Sequence, residues 1–112
     1  MGQVSLVLLG IPHVNDGGSF TLTSGILSRD QIRQGANAAA VDAALDGFVA
    51  AAAIEMPRGL RINAVSPGLL AESAQAYDGF FPGHGPVSSA RVGLAYVKSV
   101  EGALTGKVFC VD

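Results

Sequence analysis

A long alanine-rich segment followed at once by a short β-prone run limits the folds that this chain can adopt. Residues 35–56 carry many alanines, the best helix formers, and an apolar stripe at three- and four-residue spacing, so they predict a long helix. Pro57 and Gly59 end that helix, and residues 60–66 then alternate apolar and polar side chains up to the turn at Pro67-Gly68. A helix, a tight loop and a strand in this order form half of a βαβ unit, which indicates a parallel sheet.

The remaining segments continue the alternation of helices and strands. Residues 2–14 predict a helix buried on most sides, although a buried strand stays open because periodicity alone cannot separate the two in so short an apolar run. The sequence therefore predicts an α/β fold in a single domain over residues 1–112, a partial Rossmann-like three-layer sandwich with a parallel sheet. Its strands are expected at about 19–24, 60–66 and 105–111, and its helices at about 2–14, 35–56 and 87–100.

The predicted sheet indicates where a ligand would bind. Ligands of open α/β sheets lie outside the carboxyl ends of the strands, so we expect residues 66–73, which leave the strand at 60–66, to line any site. The loop at 69–86 is long and rich in glycine, proline and aromatic residues, which is typical of lids and binding loops. Tyr77 and Phe80-Phe81 in this loop form either a substrate lid or an anchor to the sheet.

The composition excludes some classes of partner and favours others. Hydrophobic residues make up 49% of the chain and charged residues 14%, which is more apolar than a typical soluble monomer and suggests that another chain or another part of a fold covers some surface. The formal net charge of −2 and the absence of a basic cluster argue against nucleic acid and against anionic membranes. Arg58 and Arg61 are interpreted as solvating the edge of a strand.

The single cysteine and the apolar segments bear on the location of the protein. Cys110 has no partner for an intrachain disulfide, and the sequence has no zinc-ligand cluster, so we expect a reducing, cytoplasmic setting and no metal. The apolar run at 4–9 lacks the flanks of a secretory signal. Asp42 and Asp46 interrupt the longest apolar stretch, so we expect no membrane span.

Four short motifs, in series, resemble the short-chain dehydrogenase/reductase family. They are GSFTLTSG at 18–25, AIE at 53–55, RGLRINAVSPG at 58–68 and LTG at 104–106. The RINAVSPG run is highly specific in its position directly after a helix. The resemblance covers essentially the whole chain but only the carboxyl-terminal half of the family's domain, so the three strands would be its fifth, sixth and seventh.

The resemblance implies an NAD- or NADP-linked oxidoreductase in which the active site is incomplete. Ser24 falls at the position of the family's catalytic serine, where a hydroxyl donates to a substrate carbonyl oxygen. The catalytic tyrosine and lysine are replaced by Ala38 and Asp42, of which the first has no proton to give and the second would raise the pKa of a phenol. The Gly-rich phosphate loop is absent from this sequence. We therefore expect an atypical or inactive site and weak or absent cofactor binding by this chain alone.

The resemblance also assigns residues to the cofactor. Pro67, Gly68 and Leu70 match the segment whose backbone faces the nicotinamide carboxamide, with Leu70 at the contacting position. Ser73 lies near the position of a threonine that reaches the cofactor's phosphates, whereas Glu72 beside it would repel them. The implied substrate is a small carbonyl compound or alcohol.

Several interpretations stay open at the level of the sequence. His84, flanked by glycines, either replaces the missing acid/base or is a solvated loop residue. Asp42 is either a base in an altered mechanism or, with Asp46, part of a solvated helix face. His13 is interpreted as a partner of a helix carboxyl terminus.

The alternative function is a non-catalytic oligomerising or interaction module derived from a truncated dehydrogenase. In the family, the helices that match 2–14 and 35–56 pack against their copies in a second subunit. The small alanine side chains at 35–56 would allow such close helix packing, so we expect a homo-oligomer.

Overall fold

The computed structural model describes residues 2–112 and has three helices and three strands in alternation. In chain order these are helix α1 (Gly2–Gly10), strand β1 (Ser19–Thr23), helix α2 (Ala36–Glu55), strand β2 (Arg61–Pro67), helix α3 (Ser89–Glu101) and strand β3 (Val108–Val111). Short 3₁₀ turns lie at Ile11–His13, Ile26–Ser28 and Ala71–Ser73. The predicted α/β class and the order of elements are confirmed.

The three strands form one parallel sheet in the order β1-β2-β3. Ser19 of β1 is opposite Arg61 of β2, and Ala64 of β2 is opposite Val108 of β3. At the outer edge of β1, the side-chain amide of Gln3 pairs with both backbone groups of Thr23, at 2.8 and 2.9 Å. Because all strands run in one direction, their carboxyl ends meet at the same edge of the sheet.

Apolar side chains on both faces of β2 hold the three layers together. Ile62 and Ala64 pack with α1 and α2 on one face, whereas Val65 packs with α3 on the other, as the alternation of side chains along a strand requires. Every residue from Ile62 to Ser66 is buried, as expected for the central strand of a parallel sheet.

The starts of β3 and α3 differ from the predicted ones because side chains take part in the turns. The strand predicted at 105–111 begins at Val108, since the Thr105 hydroxyl accepts the Ile62 N–H at 3.0 Å and Gly106 adopts a positive φ of 72°. The helix predicted at 87–100 begins at Ser89, because the Ser88 hydroxyl accepts the Arg91 N–H at 3.2 Å as a helix cap.

Helices α1 and α2 are less buried than their apolar sequences predicted. Residues 2–10 are helical, so the alternative of a strand is wrong, but only Val7 of α1 is buried, and Leu9 is 74% exposed. In α2 only Leu45 and Val49 are buried, and Ile54 is 88% exposed. The expectation that 2–14 is buried on most sides is therefore wrong for this chain.

Helix α2 also bears on the sequence-based exclusion of a membrane span. By length and composition alone α2 is long and apolar enough to cross a membrane, with a mean hydropathy of 1.4, so the exclusion based on Asp42 and Asp46 was too strong. The core helix of a soluble protein meets the same criterion. Of the residues of α2, Leu45 and Val49 are buried in the fold.

The two arginines near β2 stabilise helix ends and turns, so their interpretation as edge solvation was incomplete. Arg58 donates to the carbonyl oxygens of Ile11 and Val14, at 2.6 and 2.9 Å, and pairs with Asp16 at 3.0 Å. The Arg61 guanidinium donates to three carbonyl oxygens at and beyond the end of α3, where carbonyls lack partners within the helix. These belong to Ser99 (2.7 Å), Val100 (2.7 Å) and Leu104 (3.3 Å).

Candidate active site

A cleft of about 610 Å³ opens at the carboxyl edge of the sheet. Its walls come from the loop after β1, the first turns of α2 and the loop after β2. All five residues that the sequence assigned to a site line this one cleft, although they come from segments more than forty positions apart. They are Ser24, Pro67, Gly68, Leu70 and Ser73.

Ser24 is held at the end of β1 by its backbone. Its N–H donates to the Val65 carbonyl oxygen at 2.9 Å, which extends the parallel pairing one residue beyond the strand. The residue is 9% exposed, and its Oγ is buried without a hydrogen-bond partner among residues 2–112. Buried hydroxyls nearly always have a partner, so this one has an unused capacity to bind.

Ala38 and Asp42 line the same cleft from the first two turns of α2. Ala38 brings a methyl group where the resemblance places a tyrosine. Burial, and then the nearby Asp46 carboxylate, raise the pKa of Asp42, while the Leu27 N–H that the carboxylate accepts lowers it again in part. A side chain at Gly25 would place its Cβ 2.8 Å from Asp42 Oδ2, so the carboxylate packs directly against the backbone beside Ser24.

Asp46 lies one turn further along α2, behind the cleft wall. The Ser28 hydroxyl donates to its Oδ2 at 3.2 Å, and its Oδ1 is buried with no partner in the described part of the chain. The prediction of a solvated helix face is therefore wrong for Asp42 and Asp46, both of which are half-buried.

The loop after β2 forms a firmly held wall opposite α2. The Gly68 N–H donates to the Val111 carbonyl oxygen, and the Val87 N–H donates to that of Leu69, both at 2.7 Å. Leu70 and Val87 form an isolated parallel bridge. These bonds fix the backbone at Pro67–Leu70, the stretch that the resemblance assigns to the nicotinamide.

Glu72 has a structural partner that the sequence did not suggest. Its Oε1 accepts the Ser89 N–H at 3.3 Å, at the first residue of α3, where backbone N–H groups lack partners and an anion is favoured. Glu72 is therefore directed at a helix terminus. The neighbouring Ser73 lines the cleft.

Aromatic residues of the long loop complete the cleft. Tyr77, Phe80 and Phe81 all line it, and the Tyr77 and Phe81 rings meet edge to face with their centroids 6.0 Å apart. Tyr77 and Phe80 remain about half exposed. Their place at the cleft favours the lid over the simple anchor.

His84 lies beside a different and smaller cavity of about 240 Å³. Its side chain is only 9% exposed, its ring contacts Phe81 edge to face at 5.3 Å, and its Nε2 lies 3.5 Å from Asp30 Oδ2. The interpretation as a freely solvated histidine is therefore wrong. The imidazole joins the loop after β1 to the loop after β2, and it does not line the cleft of Ser24.

Arg29 lies near the carboxyl edge of the sheet and has a structural role that the sequence reasoning missed. Its guanidinium donates to both the hydroxyl and the carbonyl oxygen of Ser66, the latter at 3.1 Å, and lies 3.3 Å from Asp112 Oδ2. It thus joins the loop after β1 to the ends of β2 and β3. Its charge in an otherwise apolar turn, Ile26-Leu27-Ser28-Arg29, was the available signal.

The described residues include no group of three histidine, cysteine, aspartate or glutamate side chains that could hold a metal ion. The polar side chains that line the cleft are those of Ser24, Arg33, Gln34, Asp42, Ser73 and Tyr77. The rest of the lining is largely apolar.

Solved structures similar to this chain include two small-chain dehydrogenases. The chain is similar to the protein lin1944 from Listeria innocua, with 54% identity over 99% of this chain and 56% of that chain and a TM-score of 0.98. It is similar to a small-chain dehydrogenase, with 32% identity over 99% and 51% of the two chains and a TM-score of 0.81. A small-chain dehydrogenase in complex with NADPH gives 29% identity, 99% and 57% coverage, and a TM-score of 0.83.

In sequence and in fold the chain thus resembles one part of a short-chain dehydrogenase. It spans only about half the length of these solved relatives. No family model and no curated protein matches the chain. The resemblance that the motifs carried is confirmed.

Proposed function

We propose that this chain is the substrate-side region of an NAD- or NADP-linked oxidoreductase of the short-chain dehydrogenase type, with an atypical active site. One observation carries the proposal: the cleft at the carboxyl ends of the strands brings the Ser24 hydroxyl together with the fixed Pro67–Leu70 loop. One neighbour of similar fold is a dehydrogenase in complex with NADPH.

The residues present fit one end of a dinucleotide. Pro67, Gly68 and Leu70 would face the nicotinamide, and Ser73 would reach toward a phosphate; residues 2–112 supply no Gly-rich loop for the pyrophosphate. When bound, the cofactor would supply the hydride. The chain alone would therefore hold the cofactor weakly.

The substrate would be a small, largely apolar carbonyl compound or alcohol. The Ser24 hydroxyl would donate to its oxygen and polarise it, and the apolar lining would bind its body by burial of surface. Ala38 offers no proton for the resulting alkoxide. We therefore expect no measurable turnover by this chain alone.

Titration of the chain with NADPH, followed by the fluorescence of the reduced nicotinamide, and displacement of the bound NADPH by NADP test the cofactor assignment. Saturable binding that weakens several-fold in Leu70→Ala, and stays unchanged in the exposed α3 variant Leu94→Ala, would support it. Benzyl alcohol binding to the cleft is the matching test for substrate. Absence of both would contradict the proposal.

The second candidate is a homo-oligomerising module without catalysis. It rests on exposed apolar side chains on α1 and α2, namely Leu6, Leu8, Leu9, Val41 and Ile54. We infer that these exposed side chains contribute to an interaction surface. Sedimentation of the chain should then show a stable oligomer that Leu9→Lys with Ile54→Lys disperses. A well-folded monomer would contradict this second candidate.

A further inference from the structure

The polar end of the cleft carries negative charge without a cation to match it. Asp42 and Asp46 lie one turn apart on α2, and neither belongs to an ion pair among the described residues. Their partners there are neutral donors, the Leu27 N–H for Asp42 and the Ser28 hydroxyl for Asp46. Neighbouring half-buried carboxylates repel each other unless a proton or a cation lies between or beside them.

Ser24 provides an independent indication of a ligand at this place. It is nine-tenths buried, it lines the cleft, and its Oγ has no partner within residues 2–112. A buried hydroxyl without a partner costs about 1–3 kcal/mol, so a ligand group that bonds it removes that penalty. Asp42 reaches the same spot, because its Oδ2 packs against Gly25, the next residue in the chain.

The arginines near Asp42 do not form an ion pair with its carboxylate. The guanidinium of Arg29 is already bonded to Ser66 and Asp112, so it acts on Asp42 only at a distance. Arg33 lines the cleft but forms no ion pair with either aspartate. A cation from outside the chain would therefore find an unmatched carboxylate at the end of the cleft.

We propose that the cleft selects ligands that carry an ammonium group on an apolar body, with the ammonium held by Asp42 and by the Ser24 hydroxyl. The inference rests on the proposed function, since it narrows the substrates of the same cleft to amino alcohols, amino ketones and related amines. The lining suits the apolar body through Leu27, Leu69 and Leu70. The aromatic rings of Tyr77, Phe80 and Phe81 attract cations through their faces.

Benzylamine and benzyl alcohol form a matched pair of probes, because they share size and shape and differ in charge. We expect the full chain at neutral pH to bind benzylamine about ten-fold more tightly by calorimetry. Amide spectra should place the amine at Gly25, Leu27 and Asp42. Asp42→Asn keeps an acceptor for the Leu27 N–H. In this variant the ratio of the affinity for benzylamine to that for benzyl alcohol should fall to about one.

Glu55→Gln is the matched control for charge. It removes the same charge from the same helix, thirteen residues away, or about 20 Å along the helix axis. The preference for the amine should stay about ten-fold in this variant. Acidification supplies a measurement on the unmodified chain, since protonation of Asp42 should abolish the preference while benzylamine keeps its charge. Asp46 on the same helix, and Arg29 and Arg33 from the loop, are the charged groups that modulate this titration.

The outcomes separate the two proposals. Equal binding of both probes in the cleft would overturn the ammonium site and leave a cleft for carbonyl compounds and alcohols. Failure of both probes to bind there would overturn the ammonium site together with the proposed substrate cleft. A ten-fold preference that persists in Asp42→Asn, or amide shifts confined to other residues, would also overturn it.

Discussion

Ser24 and Ser99 offer a test of whether the cleft hydroxyl is kept for a ligand. Both residues are buried, and Ser→Ala makes the same chemical change at each. The Ser99 hydroxyl bonds that of Thr21 at 2.6 Å, whereas the Ser24 Oγ has no partner within the described residues. We therefore expect the two variants to change the free energy of unfolding in opposite directions.

The size of the difference follows from the hydrogen bonds. Ser99→Ala leaves the Thr21 hydroxyl without its partner and should lower the free energy of unfolding by about 1–3 kcal/mol. Ser24→Ala removes a buried polar atom that has no bond to lose, and should raise the free energy of unfolding by about 1 kcal/mol. The separation of about 2–4 kcal/mol corresponds to about 8–16 °C in Tm for a domain of this size.

Urea unfolding followed by far-ultraviolet circular dichroism measures both variants against the unmodified chain, with equal m values as the check on two-state behaviour. Loss of benzyl alcohol binding in a stabilised Ser24→Ala variant would show a residue retained for function at some cost in stability. The reasoning is refuted when Ser24→Ala destabilises the chain as much as Ser99→Ala does.

Three further predictions concern charged residues. Arg29→Met should lower the free energy of unfolding by about 2–3 kcal/mol in urea, because it removes two charge-assisted bonds to buried Ser66, whereas Arg91→Met on the exposed face of α3 should change it by less than about 0.5 kcal/mol. Arg61→Met should lower the free energy of unfolding by about 1.5–3 kcal/mol, because the last carbonyls of α3 lose their partners. Equal rates of amide hydrogen exchange at the end of α3 in the variant and in the unmodified chain would contradict this. The raised pKa of Asp42 means that the folded state favours its neutral form, so its stabilising contribution is full below the unfolded value of 3.8 and is lost as pH rises through the folded value. Urea titrations across that range should show a fall in stability that is smaller in Asp42→Asn; parallel curves would argue against it.

The fold was predictable because local signals and the parallel pattern agree along the chain. Pro57 marks the end of α2 to within two residues, and Pro67 coincides with the end of β2. The later start of β3 comes from the bond of the Thr105 hydroxyl with the Ile62 N–H, a tertiary contact that no local pattern encodes. The start of α3 was misplaced by two residues although its Ser88 cap is a local signal. The burial of α1 was overestimated, because the apolar composition of a helix does not show which other element packs against it.

The residues of the candidate site at the ends of the strands were predictable from the sequence, and those in the surrounding loops were less so. Ser24 and the loop at 67–70 follow strands, and strand ends of a parallel sheet converge. Arg29, Glu72 and His84 lie in irregular loops, where residue types do not recur at a regular spacing that would predict their contacts. Their roles depend on partners more than fifteen residues away, at Ser66, Ser89 and Asp30.

One carboxylate links the proposed cofactor site to the proposed ammonium site. By the resemblance, Asp42 stands where dehydrogenases of this family carry a lysine, so the charge at this wall of the cleft is reversed. A dinucleotide is an anion and is repelled by Asp42, whereas an ammonium group is attracted by it. Asp42→Asn should therefore raise the affinity for NADPH and lower the affinity for benzylamine in the same protein. A general loss of structure would lower both affinities, and a remote charge effect would appear equally in Glu55→Gln. Opposite changes in the affinities for NADPH and benzylamine, seen only in Asp42→Asn, would show that both ligands bind beside Asp42.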